Sequence, residues 1–252
     1  MADAFLDLAQ QYLPNLSLER VRDQTTIPSL AKDPVAMRQI RMAASTIKTR
    51  HRLIQGDARD LSAIEDHSIH LIVTSPPYWT LKEYNHNGGQ LGAVDDYDEF
   101  IAELNKVWAE AYRVLAPGGR VVVVVGGVCL SRRQYGRHVV FPLHASIQEG
   151  CRLIGFDNLS PFIWHKIANA SFEAGGGGFL GKPYEPNAVI KHDIEYLLME
   201  RKAGRYRSPT PGMRVLSIIA EDEHREWFQQ IWQLPGASTK DHPAPFPVTL
   251  AE

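Results

Sequence analysis

Ser75-Pro76-Pro77-Tyr78 is the stretch of this chain whose residue types and order can do chemistry. It follows Leu71-Ile72-Val73-Thr74, four residues suited to a buried strand, and runs into Trp79. Each proline lacks the N–H that a strand ladder needs and holds φ at about −65°, so the strand must stop and turn there. In an open α/β sheet, ligands bind at the carboxyl edge, where such a turn falls. The stiff corner leaves the carbonyls of Ser75 and Pro76 without ladder partners; Ser75 adds a hydroxyl and Tyr78 a flat ring. A planar group carrying an amine fits that set, with the amine held by the oxygens and the plane stacked on the ring. A nucleobase turned out of its helix is such a group. For the motif alone, a strand, a proline turn and a buried tyrosine are the plainer explanation, so the flanking elements must decide.

Those elements read as an α/β sheet. His51–Asp57 is expected to be a short strand ending in a Gly56-Asp57 turn. That would set Asp57 at a carboxyl end, free to accept from an adenine amine or a ribose hydroxyl, or else to cap a helix over Ala58–Ile64. Asp95–Leu115 carries one apolar stripe through Phe100, Leu104, Trp108 and Ala111, the pattern of an amphipathic helix. Pro117-Gly118-Gly119 ends it, and the valine run to Val125 suits a strand buried on both faces. Strand, helix and strand in that order imply a right-handed crossover onto a parallel sheet. Phe141–Gly150 is expected as a further helix, and Phe162–Lys166 and Ile194–Met199 as an antiparallel pair of strands. Their connection holds Gly175-Gly176-Gly177-Gly178, readable as a floppy surface loop or as a segment that orders on DNA. Residues 1–50 form an N-terminal helical extension, opening with an amphipathic helix that Pro14 closes.

With 252 residues and 44% hydrophobic composition, the chain can bury a core as one domain with or without appendages. A net charge of −2 and a pI near 6.6 exert no global pull on nucleic acid, so any such contact must come from local basic clusters. Arg132, Arg133 and Arg137 around Tyr135 could grip phosphates or form an ordinary basic loop. Arg205 and Arg207, flanking Tyr206, are the strongest basic-plus-aromatic cluster, and Lys182 lies in the glycine-bearing connection. Cys129 and Cys151 have no metal spacing, and His165 and His192 lie far apart without a ligand pattern, so no metal site is expected. A reduced, cytoplasmic protein follows from the cysteine usage, the absence of a long apolar run and the acidic first residues.

In this order the motifs resemble those of the DNA amino-methyltransferases, which methylate exocyclic amines of DNA bases. Ser75-Pro76-Pro77-Tyr78 is similar to the family's catalytic motif. The Leu-x-Pro-Gly-Gly and strand that follow, Ile163-Trp164-His165-Lys166 with Asn169, and the run from His192 to Lys202 resemble its later motifs. Asp241-His242-Pro243-Ala244-Pro245-Phe246-Pro247 is similar to its His-Pro-Ala-x-Phe-Pro segment. The resemblance implies a Rossmann-like S-adenosylmethionine-dependent methyltransferase fold over residues 51–252, with S-adenosyl-L-methionine as cofactor, DNA as substrate and a role in restriction-modification. It implies Ser75, Pro76, Pro77 and Tyr78 as the catalytic set. Asp57, Ala58, Thr74, His242, Phe246 and Pro247 would bind the cofactor, Asp57 at its adenine and the 242–247 segment near its methionine. Arg132, Arg133, Arg137, Lys182, Arg205 and Arg207 would meet DNA, with a target-recognition segment at 201–235. The serine form of the motif is commoner among cytosine-N4 enzymes, so that amine is expected ahead of adenine N6.

The resemblance also points to an absence. In this motif order the family continues into an Asp-Pro-Phe-x-Gly-x-Gly turn that holds the cofactor's methionine, then a strand whose acid holds the ribose. Neither occurs in this sequence, and the glycines of 175–178 follow no apolar strand. The two strands concerned lie mid-sheet, between the one ending at Asp57 and the one ending at Ser75. The catalytic strand is therefore expected to show an unpaired inner edge, which invites another chain. The fold is expected to be incomplete, one part of a split methyltransferase whose second polypeptide carries the glycine turn. The alternatives are a non-catalytic DNA-binding or regulatory subunit, a truncated inactive methylase, or an enzyme acting on structural RNA.

Overall fold

A computed structural model describes residues 3–81, 89–130, 132–166, 192–238, 240 and 245–251. In chain order the elements are α1 (Ala4–Tyr12), α2 (Leu18–Arg22), α3 (Thr26–Ala31), α4 (Pro34–Ser45), β1 (Ile69–Thr74), α5 (Tyr97–Val114) and β2 (Leu115–Val125). There follow β3 (Val128–Leu130), α6 (Arg132–Tyr135), β4 (Val139–Phe141), α7 (Leu143–Ile154), β5 (Phe156–Asn158), β6 (Phe162–Lys166), β7 (Ile194–Lys202), α8 (Pro211–Leu216), α9 (Glu221–Trp227), β8 (Ile231–Leu234) and α10 (Val248–Ala251). The chain divides into two units, Met1–Gln55 with Arg207–Gln229, and Gly56–Tyr206 with Gln230–Glu252. No helix among the described residues is long and apolar enough to cross a membrane.

The first unit is helical. Asp3 caps α1 by accepting from the Leu6 amide at 3.2 Å, and its other carboxylate oxygen accepts from the Gly212 amide at 2.8 Å. Gly212 has to be glycine: a Cβ there would fall 2.0 Å from the Leu6 nitrogen, so α8 lies directly on α1. Leu6, Ala9, Val21, Met37, Ile40, Val215 and Ala220 close one core. The expected boundary after residue 50 thus falls after Gln55. The expected recognition segment 201–235 is not one piece either, because the apolar residues of α8 and its neighbours are buried by α1 and α4.

The second unit is built on the valine run. A mostly antiparallel sheet has the order β1-β2-β7-β6-β8, with β5 also paired to β7; β1 and β2 are parallel, and so are β6 and β8. Val121, Val123 and Val125 face α5 and α7, packing with Phe100, Leu104, Trp108, Leu143, Ile147 and Cys151. Val122 and Val124 face the other way, toward Trp164, Leu197, Phe246 and Leu250. Alternation across one strand with both faces covered is what an unbroken valine run demands. The parallel register breaks between Ile69–Leu115 and Leu71–Arg120, where Ala116–Gly119 bulges out. A Cβ on Gly119 would sit 2.8 Å from the Ala116 oxygen, so the bulge needs glycine there. A two-stranded sheet of β3 and β4 follows β2.

His51–Asp57 is not a strand, contrary to the sequence-based expectation. It runs as exposed irregular chain, with Leu53 99% exposed, and no strand among the described residues pairs with it. A lone strand leaves its backbone groups unpaired, so its β-pattern has nothing to form on. β1 is likewise an edge, paired on one side only among the described residues.

Candidate active site

Parallel pairing puts the ends of β1 and β2 at one edge of the sheet. β7 starts and β6 finishes at that same edge, because they run antiparallel to each other. Ser75, Gly126, Lys166 and Glu195 therefore gather there from four separate strand ends. The diproline corner follows directly on β1: Pro76 is buried, while Ser75, Pro77 and Tyr78 keep partial exposure.

Tyr78 is held at both ends. Its phenol donates to Glu195 Oε2 at 3.0 Å and lies 3.5 Å from the Val124 carbonyl. The Ser75 side chain and the Gly126 amide interact with the same oxygen. Burial, with the Glu195 charge second, pushes the phenol well above its usual range, so it stays a neutral donor. On the chain's far side, Trp79 takes φ of 48°, a left-handed conformation that strains a tryptophan. Packing enforces it. The indole is buried, donates to the Val94 carbonyl at 2.8 Å, and meets Tyr97 and Phe141 edge-on at 5.1 and 4.8 Å.

The residues expected at the cofactor are partly dispersed. Thr74 ends β1 opposite Val123, beside the corner. Asp57 is engaged by Arg59, whose Nε and Nη2 donate at 3.0 and 2.6 Å, and that hydrogen bonding lowers its carboxyl to about 2. Arg59 also reaches Glu103 on α5 at 2.7 Å, which places Asp57 on the α5 side of the sheet. Phe246 packs with Val124, Trp164 and Leu250 on the opposite face. Ala58 is exposed in a turn, Pro247 is half-buried beside α10, and His242 lies outside the described residues. These side chains suit the margins of a nucleoside cofactor: an acid, a strand-end hydroxyl and an aromatic. They do not by themselves enclose one.

The basic candidates separate. Arg133 and Arg137 sit between β3 and β4, just beyond the end of β2 on the edge that carries the diproline corner; Arg137 covers the Tyr135 ring at 5.4 Å, and Tyr135 meets Phe141, the ring that also touches Trp79. Arg132 begins the short α6 in the same connection. Arg205 lies against Gly118 at the opposite edge, where Tyr206 accepts from Arg201 at 2.7 Å and stacks under Arg120. Arg120 and Val125 are five residue steps apart on β2, about 17 Å of strand. Arg207 belongs to the helical unit, and Lys182 lies outside the described residues. No group of three or more metal-ligating side chains occurs among the described residues.

Glu195 and Lys166 escaped the reading of the sequence. An acid inside the otherwise apolar Ile194–Met199 and a lysine closing Phe162–Lys166 were the available signal.

Residues 69–252 match the DNA methylase family of N6 and N4 enzymes. Type II methyltransferase M.MjaI of Methanocaldococcus jannaschii is 34% identical over 225 residues, covering 80% of this chain and 72% of its own. M.MthZI of Methanothermobacter thermautotrophicus is 31% identical over 77% of this chain and 58% of its own length. Among solved structures, a protein of Thermus thermophilus, described as a DNA modification methylase and complexed with S-adenosyl-L-methionine, is 48% identical. It covers 80% of this chain and 72% of its own, with a TM-score of 0.63. The cytosine-N4-specific PvuII DNA methyltransferase shares the fold at 20% identity, with a TM-score of 0.50.

Proposed function

We propose, for a chain that belongs to the N6/N4 DNA methylase family, that the corner Ser75–Tyr78 presents the exocyclic amine of a DNA base for methylation. The observation that carries this is the placement of a rigid diproline turn at the end of a parallel strand, with a hydroxyl, backbone carbonyls and a pinned aromatic ring on one edge. An exocyclic amine is a poor nucleophile because its lone pair is conjugated into the ring. Ser75 Oγ and the Pro76 carbonyl accept its hydrogens, which draws the nitrogen toward tetrahedral geometry and frees the lone pair. Tyr78 stacks the extruded base, and the buried Pro76 with the anchored Trp79 keeps the three groups in fixed relation. S-adenosyl-L-methionine supplies the methyl group when bound. No covalent bond to the enzyme is required; Cys151 is buried, and burial together with the Glu200 charge pushes its thiol far up. The serine at position 75 favours cytosine N4 over adenine N6. Arg133 and Arg137, on the active edge, are the basic residues assigned to DNA; Arg205 is assigned to the far edge and does not share that role in this reading.

We further propose that the glycine-rich turn and central strands come from polypeptide outside this sequence. The support is the edge of β1, open among the described residues, where Leu71 and Val73 stand 58% and 39% exposed, and the 51–57 segment, which pairs with no described strand and leaves Leu53 bare. The test is incubation of the chain with labelled S-adenosyl-L-methionine and duplex DNA, alone and with a polypeptide bearing the glycine turn, followed by nucleoside analysis. Label in N4-methylcytosine is expected, and only with the complement. Label in N6-methyladenine would reverse the choice of amine. No base labelling under either condition would favour a non-catalytic DNA-binding subunit, the second reading that the missing turn supports.

A further inference from the structure

Glu195 is an acid where the strand pattern calls for something else. It is 9% exposed on β7, flanked by apolar neighbours, with Tyr78 Oη donating to Oε2 and Lys166 on the adjacent strand paired to Oε1. A buried carboxylate is expensive unless paired and hydrogen-bonded, and here both oxygens are engaged. Gly126, closing β2, makes the approach possible: a Cβ there would sit 3.3 Å from Glu195 Cγ and 3.5 Å from Tyr78 Cε2. Three strand ends are thus shaped around one hydrogen bond to the Tyr78 hydroxyl. A phenol donating to a carboxylate gains electron density in its ring, which makes the ring face more negative. Methyl transfer from a sulfonium to a neutral amine moves positive charge onto the base. A cation over an electron-rich aromatic face is attracted to it, more strongly where water is excluded.

We propose that Glu195 is a positioning residue for methyl transfer: it fixes the Tyr78 phenol and, through that hydrogen bond, enriches the ring face against which the base becomes cationic. Lys166, paired to the other carboxylate oxygen, keeps Glu195 aimed. The inference rests on Tyr78 being the stacking platform. It differs from that reading in predicting a charge effect on the transfer step rather than on base binding.

The experiment compares Glu195→Gln, Tyr78→Phe and the double variant in the full chain, supplied with the complement that supports transfer. Single-turnover methylation of long mixed-sequence duplex DNA is followed alongside DNA affinity. Each single change is expected to slow transfer about tenfold with little change in affinity, and the double variant to lose no more than the slower single one. Independently of DNA and cofactor, the Tyr78 ring-carbon NMR signal, identified by its loss in Tyr78→Phe, is expected to move in Glu195→Gln. Losses that add in the double variant, a wild-type rate in Glu195→Gln, or an unmoved Tyr78 signal would each overturn the proposal. If Glu195→Gln fails to fold, a wild-type rate in Tyr78→Phe does so alone. Tyr78→Ala separates the two readings: should it keep full DNA affinity, stacking is wrong whatever Glu195 does; should it lose affinity while Glu195→Gln transfers normally, only the role of Glu195 falls.

Discussion

Tyr78 is gripped at its hydroxyl and, one residue on, at the strained Trp79, so the ring between them has little freedom. Replacing Tyr78 by alanine removes the platform, and the hydroxyl with it, while leaving Trp79 in place. An affinity loss of about 1–3 kcal/mol for DNA is expected, read by titration at fixed salt because phosphate contacts scale with ionic strength. Trp79→Ala attacks the corner from the other side. It creates a cavity against Tyr97 and Phe141 and frees the Val94 carbonyl, for an expected cost of about 3–5 kcal/mol in urea unfolding. A cost under about 1 kcal/mol would mean that packing does not hold the left-handed turn. At this scale the motif was legible because prolines and tyrosine carry their chemistry in their covalent structure. Glu195, Lys166 and Gly126 were not, because only the pairing of β1, β2, β7 and β6 brings their strand ends to one edge, with Glu195 lying 117 residues along the chain from the phenol that donates to it.

The elements were legible wherever one side chain pattern sufficed to define them. The stripe of α5 and the valines of β2 say what they bury, and the pairing of β6 with β7 follows from two apolar runs at strand length. His51–Asp57 has an equally good strand pattern and forms none, since a strand exists only by its neighbours. β1 exposes the complementary half of that fact: Leu71 and Val73 present apolar side chains on an open edge. Amides on the outer side of β1 are therefore expected to exchange rapidly with solvent in the isolated chain, and to become protected when a polypeptide carrying the glycine turn is added. Val73→Lys should leave the stability of the isolated chain within about 0.5 kcal/mol, since the side chain is already exposed, yet abolish that protection. Protection that persists in Val73→Lys, or never forms in the wild type, would count against pairing at this edge.

The whole molecule's stability is tied to pH through a group remote from the diproline corner. Glu200 on β7 is fully buried, with no hydrogen-bond partner for either carboxylate oxygen among the described residues, and burial lifts its carboxyl from the usual 4.5 to about 7. The folded chain then binds a proton that the unfolded chain has released, so this contribution is complete below about pH 4.5. It is lost as pH rises through 7, after which stability is flat; the span is about 3 kcal/mol. Asp57 and Glu110 have the opposite sign. Arg59 and Arg113 respectively hold them down at about 2, so their stabilisation is intact above pH 4.5 and fails only in acid, outside the window of Glu200. His144 does fall inside it: burial lowers its pKa, which makes stability rise with pH up to the histidine's usual 6.5 and partly masks the carboxyl. Wild type alone therefore cannot isolate the effect, but the difference between wild type and Glu200→Gln can, because His144 is common to both. Urea unfolding between pH 5 and 8 should show the wild type losing stability relative to Glu200→Gln as pH rises, with the gap constant above about 7.5. Parallel curves would mean that Glu200 is ionised in the folded chain, and that its oxygens find partners that keep the charge inside the sheet.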